Sequence, residues 1–404
     1  MATPFLILLI SCLLCLQPQA LRHGGVSLKH QQMALLHWKS TLQSSPVQMG
    51  SCRPRTNPCN WTGIMCRAIH HGRRTPWVVT NISLPGAGIH GQLGELHFSA
   101  LPFLTYIDLS KNSIHGPITA NIKSLSALST LYLRFNKLTG RIPYEIGDLQ
   151  SLARLDISVN GLTGPIPSSI GNLTMLIDLL IHQNMVTGPI PKEIGRLVSL
   201  QGLQLSNNTL SGEISAAIGN PTQLNTLLLF GNELSGQIPA ELGKLLNMQT
   251  LALSSNKLTA AIPASLANLT KMRTLLLYDN QFTGSIPLEL AKLVNLQTLD
   301  LASNTLTSAI PVSLANLTKI RKLRLYGNKI SGLIPPELGK LINLQTLSLG
   351  SNTLTGPIPV SLANLSKISI LYLYENQITG SIPPELCTLL NLQDLSMSTN
   401  QISG

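Results

Sequence analysis

Charged residues are scarce in this 404-residue sequence, where Asp, Glu, Lys and Arg make up 11% against roughly 25% in an average soluble protein. Aromatic residues reach only 4%, which disfavours one thick core and fits a thin, regularly layered interior. The mean hydropathy is positive at +0.23, yet beyond the N-terminus no apolar run approaches the ~20 residues that a membrane-spanning helix needs. The apolar residues are therefore spaced along the chain.

Motifs of common enzymes are also missing. The sequence contains no Val-Ala-Ile-Lys, His-Arg-Asp or Asp-Phe-Gly string of a protein kinase. Its nine histidines do not fall at metal-ligand spacing, and the adjacent His70 and His71 suggest a solvated loop. The string GAGIHG at residues 86–91 fits a dinucleotide-binding glycine pattern, with Asp108 at a suitable distance. No helix pattern follows it, however, so we predict no catalytic residue, no metal and no cofactor.

The N-terminus is predicted to be a secretory signal peptide over residues 1–20. Residues 5–16 read FLILLISCLLCL, a 12-residue apolar stretch, and QPQA follows with Ala20 as the small residue at the cleavage point. Four of the six cysteines would remain in an oxidising, extracellular compartment; these are Cys52, Cys59, Cys66 and Cys387.

Positive charge is concentrated near the N-terminus. Eight Lys or Arg and no Asp or Glu precede Glu95, so eight charges of the net +11 lie there, while 20 basic and 17 acidic residues follow. This asymmetry fits attraction of an acidic cell-wall polymer or a membrane surface to the N-terminal region, or a solvated cap that binds neither. Nucleic acid is not expected as a partner of a secreted chain.

Asparagine recurs every 24 residues without a slip, which identifies a repeat architecture. Each repeat follows L-x-x-L-x-L-x-x-N-x-L-x-G-x-I-P, as in LSTLYLRFNKLTGRIP at 128–143, and a weaker copy precedes them at 79–91. We name each repeat after its asparagine, and the thirteen are Asn112, Asn136, Asn160, Asn184, Asn208, Asn232, Asn256, Asn280, Asn304, Asn328, Asn352, Asn376 and Asn400.

The repeat pattern predicts an α/β repeat solenoid. Alternation in L-x-L is the period of a strand with leucines inward, and stacked copies would form a parallel sheet spaced about 4.8 Å per repeat. The asparagine amide can pair with backbone groups left open by the bend, so stacked copies would form a ladder. Ala260 and Ser308 replace the glycine, and Thr119 and Ser215 replace the proline. We expect a less regular outer edge in those four repeats.

The repeat resembles the plant-type leucine-rich repeat. CNWTGIMC at 59–66, preceded by the amphipathic helix pattern QQMALLHWKSTL at 31–42, resembles the N-terminal cap of plant leucine-rich-repeat receptor-like kinases. The resemblance implies a right-handed superhelix with a parallel sheet on its concave face, a cap over 21–78 and a solenoid over 79–404. It also implies a disulfide between Cys59 and Cys66 with Trp61 packed against it. For Cys52 three states are possible: a free thiol, a shuffled pairing or a disulfide bond to a cysteine outside the chain.

In that family the ectodomain binds an extracellular peptide or protein and recruits a co-receptor kinase, and we expect both partners here. The alternative is a secreted defence protein that blocks a pathogen cell-wall hydrolase, as polygalacturonase-inhibiting proteins do. The sequence stops at Gly404 within a repeat, before any membrane helix or kinase domain. We therefore expect a truncated product or fragment of a receptor that would reach the membrane through its missing region.

Ligand contacts are expected at the outward positions of the strands. In the early repeats these are Tyr132, Arg134, Phe135, Arg154, Asp156, Asp178 and His182; in the later ones they are Phe230, Tyr278, Tyr326, Tyr372 and Tyr374. Rings recur every 48 residues, roughly 10 Å apart, which fits either a platform of exposed rings for an extended peptide or duplication of a two-repeat unit. Lys322 and Arg324 resemble the paired basic residues by which some relatives hold a ligand carboxylate; an ordinary solvated strand face is the other interpretation.

Seven N-x-S/T sequons predict N-glycosylation, at Asn60, Asn81, Asn172, Asn207, Asn268, Asn316 and Asn364. The last three repeat every 48 residues, so their glycans would form a row on one flank. Glycans on Asn81 and Asn207 would lie on or beside the concave face and obstruct a ligand there, which favours the middle and C-terminal repeats for binding.

Overall fold

The computed structural model describes residues 27–43, 47–70 and 75–403; the signal peptide predicted for 1–20, and His71, lie outside them. The predicted cap helix is present from Leu28 to Thr41, and the Ser27 hydroxyl caps it by accepting a hydrogen bond from the backbone N–H of His30. No helix in the described residues combines the length and the apolar character needed to cross a bilayer.

Fifteen strands form one sheet, which we call the concave sheet after the face predicted for it. Its first two strands, Ile64–Ala68 and Trp77–Ser83, are antiparallel, and the second of them spans the predicted boundary between cap and solenoid. Each later strand lies parallel beside that of the preceding repeat. These are Tyr106–Asp108, Thr130–Tyr132, Arg154–Asp156, Asp178–Leu180, Gly202–Gln204, Thr226–Leu228, Thr250–Ala252, Thr274–Leu276, Thr298–Asp300, Lys322–Arg324, Thr346–Ser348, Ile370–Tyr372 and Asp394–Ser396.

A second set of parallel strands, which we call the outer ladder, follows the asparagines and was not predicted. Eight strands form its first part: His90–Gln92, Ser113–Pro117, Lys137–Arg141, Gly161–Gly164, Met185–Gly188, Thr209–Glu213, Glu233–Gly236 and Lys257–Leu258. Four form its second part: Ser331–Leu333, Thr353–Gly356, Gln377–Gly380 and Gln401–Ile402.

The gap in the outer ladder lies beside the two repeats that lack glycine at the bend: the Asn256 repeat keeps only the short strand Lys257–Leu258, and the Asn280 and Asn304 repeats form no strand. Ala260 and Ser308 adopt φ of 65° and 68°, a left-handed conformation that is unfavourable for residues with a Cβ. Around the repeats of Ala260 and Ser308 the outer ladder is reduced to isolated bridges, from Ala261 to Thr283 and from Ser285 to Thr307. The prediction of an irregular edge is confirmed for these two repeats. It is wrong for the repeats of Thr119 and Ser215, whose strands have full length because proline is replaced outside the paired segment.

Short 3-10 turns return the chain from the outer ladder to the next concave strand. In the solenoid they are Leu93–Glu95, Phe98–Ala100, Ala120–Ser124, Tyr144–Asp148, Ser168–Asn172, Lys192–Arg196, Ala216–Gly219, Ala240–Lys244, Ala264–Asn268, Leu288–Lys292, Val312–Asn316, Pro336–Lys340, Val360–Asn364 and Pro384–Thr388. Two further 3-10 turns, Val47–Ser51 and Pro58–Asn60, lie in the cap. Each repeat therefore has three sides, namely a concave strand, an outer-ladder segment and a 3-10 turn.

The core lies between these three sides and runs the length of the solenoid. The leucine positions of the pattern are buried in nearly every repeat, and Leu152, Leu155 and Leu162 are examples with no exposed surface. Complete burial of one leucine stabilises the fold by about 1.5–3 kcal/mol. Since a single repeat has nothing to pack its leucines against, this stabilisation depends on stacking.

The predicted asparagine ladder is present along the solenoid. In the Asn160 repeat the side-chain oxygen accepts from the backbone N–H of Leu138 at 3.0 Å, and the amide donates to the carbonyls of Leu133 and Ile157 at 3.1 and 3.2 Å. Each asparagine thus bonds its own repeat and the preceding one, which links neighbouring repeats through groups that the bend would leave unpaired.

The cap contains the disulfide implied by the resemblance, between Cys59 and Cys66. Trp61 is buried, and its indole N–H donates to the Thr56 hydroxyl at 2.7 Å. Cys52 is a free thiol buried in the same core, and burial raises its pKa, which makes it a poor nucleophile. Cys387 is also free, but exposed.

Candidate ligand-binding face

One row of side chains runs along the concave sheet, two residues before each of the first twelve asparagines; Ser398 holds the same position in the last repeat and is exposed. Small and large residues alternate in it: Ser110, Arg134, Ser158, His182, Ser206, Phe230, Ser254, Tyr278, Ala302, Tyr326, Gly350 and Tyr374. We call this the alternating row. We predicted its rings from Phe230 onward, but the same 48-residue period extends to the polar residues of the early repeats and was visible in the sequence there.

The alternation has a packing cause. All six small residues are buried, whereas their large neighbours are half-buried or, for Arg134, exposed. A Cβ placed on Gly350 would lie 2.7 Å from ring carbons of Tyr374, so this ring lies directly over the glycine. Phe230, Tyr278 and Tyr326 are half-buried too, so these rings keep only part of their surface exposed. Their use as a platform for a peptide stays a prediction.

The early repeats carry a ladder of ion pairs on the concave sheet. Arg134 lies 3.8 Å from the Asp156 carboxylate, and Arg154 lies 3.2 Å from that of Asp178. Asp156 was predicted to be an outward ligand contact, and this is wrong, because only 4% of it is exposed. Its carboxylate accepts hydrogen bonds from the backbone N–H and hydroxyl of Ser158, so it orients Arg134 and is not free for a ligand.

Three other predicted contacts surround this ladder. Tyr132 is half-buried and packs edge to face on Tyr106, with ring centroids 6.1 Å apart. Phe135 is 47% exposed and stays available for contact. His182 is half-buried; burial lowers the pKa of its imidazole and Arg134 lowers it further, against the opposite effect of Asp156. Its Nδ1 is buried without a hydrogen-bond partner among the described residues.

Lys322 and Arg324 do not form the basic pair that the sequence suggested. The Arg324 guanidinium lies 3.3 Å from the carboxylate of Asp300, which faces it in the neighbouring strand and is 3% exposed. The charge of Arg324 is thereby compensated. Burial raises the pKa of the Asp300 carboxyl, although the N–H of Ala302 and Arg324 both act to lower it. Lys322 is exposed and unpaired within the described residues.

Two further cations, which sequence reasoning missed, lie at the strand starts of the same region. Arg273 and Arg321 are exposed, and no carboxylate of the described residues forms an ion pair with either of them. Arg273 lines a cleft of about 300 Å³ together with Gln249, Lys271, Asn295, Gln297 and Lys319. We call Arg273, Arg321 and Lys322 the basic edge. The arginines precede the strand residues that we considered, although their 48-residue spacing was visible.

The last repeats hold two adjacent tyrosines of the predicted set. Tyr372 packs edge to face on Tyr374, with ring centroids 5.9 Å apart, and its hydroxyl donates to the carboxylate of Asp394. Both tyrosines are half-buried. Here too the rings are held by neighbours and do not project freely.

The sequons fall into two groups by exposure. Asn60, Asn172, Asn207, Asn268, Asn316 and Asn364 are exposed, and the last three each end a 3-10 turn, as a row of glycans on one flank requires. Asn81 lies in the concave strand Trp77–Ser83 and is half-buried. Glycan occupancy at all seven positions stays a prediction.

Family models match most of the described chain. A leucine rich repeat N-terminal domain matches residues 28–67, a leucine-rich repeat region matches 92–237, a pair of leucine rich repeats matches 270–316, and single leucine rich repeats match 319–341, 343–365 and 367–389. A curated relative, the leucine-rich repeat receptor-like serine/threonine-protein kinase RGI4 of Arabidopsis thaliana, is 34% identical over 30% of this chain and 10% of its own length.

Solved structures extend the likeness to nearly the whole chain. The ectodomain of the Arabidopsis thaliana receptor kinase GASSHO1/SCHENGEN3, in complex with CASPARIAN STRIP INTEGRITY FACTOR 2, is 36% identical with a TM-score of 0.81, covering 92% of this chain and 47% of that one. A leucine-rich-repeat protein of Leptospira interrogans is 34% identical with a TM-score of 0.63, covering 76% and 75%. The chain thus spans about half of the first structure and a tenth of the curated relative. It belongs to the leucine-rich-repeat family, with the N-terminal cap and the ectodomain-like fold of plant receptor-like kinases.

Proposed function

We propose that this chain is the extracellular ligand-recognition domain of a plant leucine-rich-repeat receptor-like kinase, and that it binds a peptide or protein along the concave sheet. Similar ectodomains support this: GASSHO1/SCHENGEN3 was solved with CASPARIAN STRIP INTEGRITY FACTOR 2, and HAESA, 28% identical with a TM-score of 0.75, with a peptide hormone and the co-receptor SERK1. Secretion and recruitment of a co-receptor are part of the proposal. A hydrolase inhibitor is not favoured, since the named plant relatives are receptors.

The basic edge is the observation that carries this proposal. Its three cations have no ion-pair partner among the described residues, whereas Arg134, Arg154 and Arg324 do. The edge shares its repeats with Tyr278 and Tyr326, whose rings keep part of their surface exposed. An extended peptide with a terminal or side-chain carboxylate would therefore find charge and apolar ring surface together. We infer recognition, not catalysis, as the work of this face.

Binding of synthetic peptides to the full chain tests the proposal. Peptides with free and with amidated C-termini are compared by calorimetry on the wild type, on a triple variant Arg273→Ala, Arg321→Ala, Lys322→Ala, and on a control double variant Arg134→Ala, Arg154→Ala. We expect the triple variant to lose about tenfold or more in affinity for carboxylate peptides, and the control to lose much less, since its cations are already paired.

Two results would contradict this assignment. Equal losses in the control and triple variants would show that the charge of the basic edge has no special role. Tight binding of a fungal polygalacturonase, with no peptide bound, would replace the receptor hypothesis with the inhibitor hypothesis.

A further inference from the structure

Three potential metal ligands meet where the cap helix packs on the first repeat. They are His37 in the helix Leu28–Thr41, Glu95 at the end of the turn Leu93–Glu95, and His97 just before the turn Phe98–Ala100. No spacing in the sequence signals this group, because about 60 residues separate its two parts. It is the one cluster of three or more such side chains that the described residues bring within ligand distance of a common ion.

Buried neighbours fix the backbone of all three residues. Trp38 follows His37 and is 1% exposed, while Leu96 lies between Glu95 and His97 and is also 1% exposed. These apolar side chains belong to the same core cluster, so the helix and the two turns are held at a defined distance. The polar side chains between them therefore emerge along one seam.

The geometry of the seam suits a divalent transition metal. One ligand atom from each residue lies within 4.8 Å of the others, and the His37 Nε2 lies 3.9 Å from the Glu95 carboxylate. The imidazole centroids are 4.9 Å apart. Ligand atoms around tetrahedral zinc lie roughly 3.3 Å apart, so a shift of about 1.5 Å closes the site. The side chains of His37 and Glu95 are 49% and 43% exposed, which leaves them free to move.

We propose that His37, Glu95 and His97 bind one zinc ion, with water as the fourth ligand. Two imidazoles and a carboxylate are a common zinc ligand set, and a purely oxygen-preferring ion such as Mg²⁺ fits it poorly. Without metal, His37 and Glu95 form an exposed contact that is an ion pair only when the imidazole is protonated, and such surface pairs contribute little. With metal, the cap helix is joined to the first repeat, so zinc binds the folded cap in preference to the unfolded chain and raises its stability.

Zinc titration of the full chain tests the proposal. All proteins carry Cys387→Ser, because an exposed thiol is itself a zinc ligand. The test variant is His37→Ala, His97→Ala. The matched control is His90→Ala, His115→Ala, a second histidine pair with centroids 5.5 Å apart that lacks the third ligand. Glu95→Gln serves as an intermediate.

We expect ZnCl2, but not MgCl2, to bind with a stoichiometry of one and to raise the Tm of the chelator-treated chain. The test variant should bind zinc at least about tenfold more weakly and lose the rise in Tm, Glu95→Gln should fall between, and the control should match the parent. His37 and His97 are exposed, whereas His90 and His115 are half-buried, and the metal-free Tm of each variant shows whether it folds. The proposal is overturned if the test variant keeps full zinc affinity, if the control loses as much, or if the parent binds no zinc.

Discussion

The alternating row obeys one packing rule along the solenoid but changes its chemistry between the two halves. In the early repeats its large members are Arg134 and His182, and in the later ones they are rings from Phe230 to Tyr374. The early ion pairs, Arg134 with Asp156 and Arg154 with Asp178, face one another across adjacent repeats, whereas the later half adds the unpaired basic edge. Residue size in the row thus alternates along the whole solenoid, while the charges of the early half are paired and those of the basic edge are not.

The small members of the row change in parallel. The Ser110 and Ser158 hydroxyls donate to Asp108 and Asp156 in their own repeats. In the later half, the Ser254 hydroxyl is buried without a hydrogen-bond partner among the described residues, and alanine and glycine occupy the following small positions. A buried hydroxyl without a partner is costly, so Ser110 and Ser158 gain from their aspartates a hydrogen bond that Ser254 lacks.

The largest effect is expected for the ladder asparagines, whose exposure differs from repeat to repeat. Asn304 is 8% exposed, and its amide donates to Leu277 and Leu301 while its oxygen accepts from Phe282. Asn304→Ala leaves these buried groups unpaired and should lower the free energy of unfolding by about 2–4 kcal/mol. Asn160→Ala should cost less, because water reaches this half-buried site. Urea unfolding of both variants compares them; equal losses would mean that exposure does not matter here.

The packing rule itself is tested at Gly350. Its φ is not in the left-handed region, so Gly350→Val should act only by displacing the Tyr374 ring, at about 1–3 kcal/mol. In a Tyr374→Ala background the same change should cost nearly nothing, because the space is then empty. A double-mutant cycle measured by thermal unfolding gives this coupling. A cost that persists without the ring would show that the alternation has another cause.

The sequence predicted the solenoid, its period and the asparagine ladder, because these depend on residues that recur in every repeat. It did not predict the outer ladder, whose strands depend on neighbouring repeats. Gly284 is the favourable residue at the bend, yet its repeat, which lies between the repeats of Ala260 and Ser308, forms no strand. The group formed by His37, Glu95 and His97 was missed for a related reason, because the fold brings together residues that no sequence motif connects.

The site was predicted less well because outward positions also contact one another. Asp300 and Arg324 stand opposite in adjacent strands, 24 residues apart, so their pairing follows from the register. Arg134 and Asp156 pair diagonally, which the register alone does not specify. Reading the outward residues repeat by repeat therefore overestimated which charges are free.

A smaller effect is expected at the gap in the outer ladder, which only the later half contains. Ala260→Gly and Ser308→Gly remove a Cβ from residues with φ of 65° and 68°, and each should stabilise the chain by about 1 kcal/mol. The control Gly332→Ala places a Cβ in ordinary contact at φ of 80° and should destabilise by a similar amount. Thermal unfolding measures the gain in stability of the glycine variants and the loss in Gly332→Ala, and hydrogen exchange reports whether strands form in the gap. A loss of stability in the glycine variants would contradict this account.

The smallest effect concerns the two buried aspartates, which differ in their partners. Asp156 accepts the Ser158 hydroxyl, whereas Asp300 has only the backbone N–H of Ala302 beside Arg324. Because burial raises the pKa of Asp300 above 3.8, the folded chain holds its proton more tightly than the unfolded chain. The stability of the wild type relative to Asp300→Asn should therefore be greatest below pH 3.8 and fall as the pH rises through the raised pKa.

The change should stay below about 1 kcal/mol, and urea unfolding between pH 3 and pH 7 measures it. Ala302→Ser supplies the hydroxyl that Asp156 has, so it should lower the pKa of Asp300 and shrink the decline with pH. Arg324→Ala removes a group that lowers the pKa of Asp300, so this pKa should rise and the decline in stability should extend to higher pH. If the relative stability of the wild type rises with pH instead, the ion pair with Arg324 outweighs burial, and the two halves stabilise their aspartates in the same way.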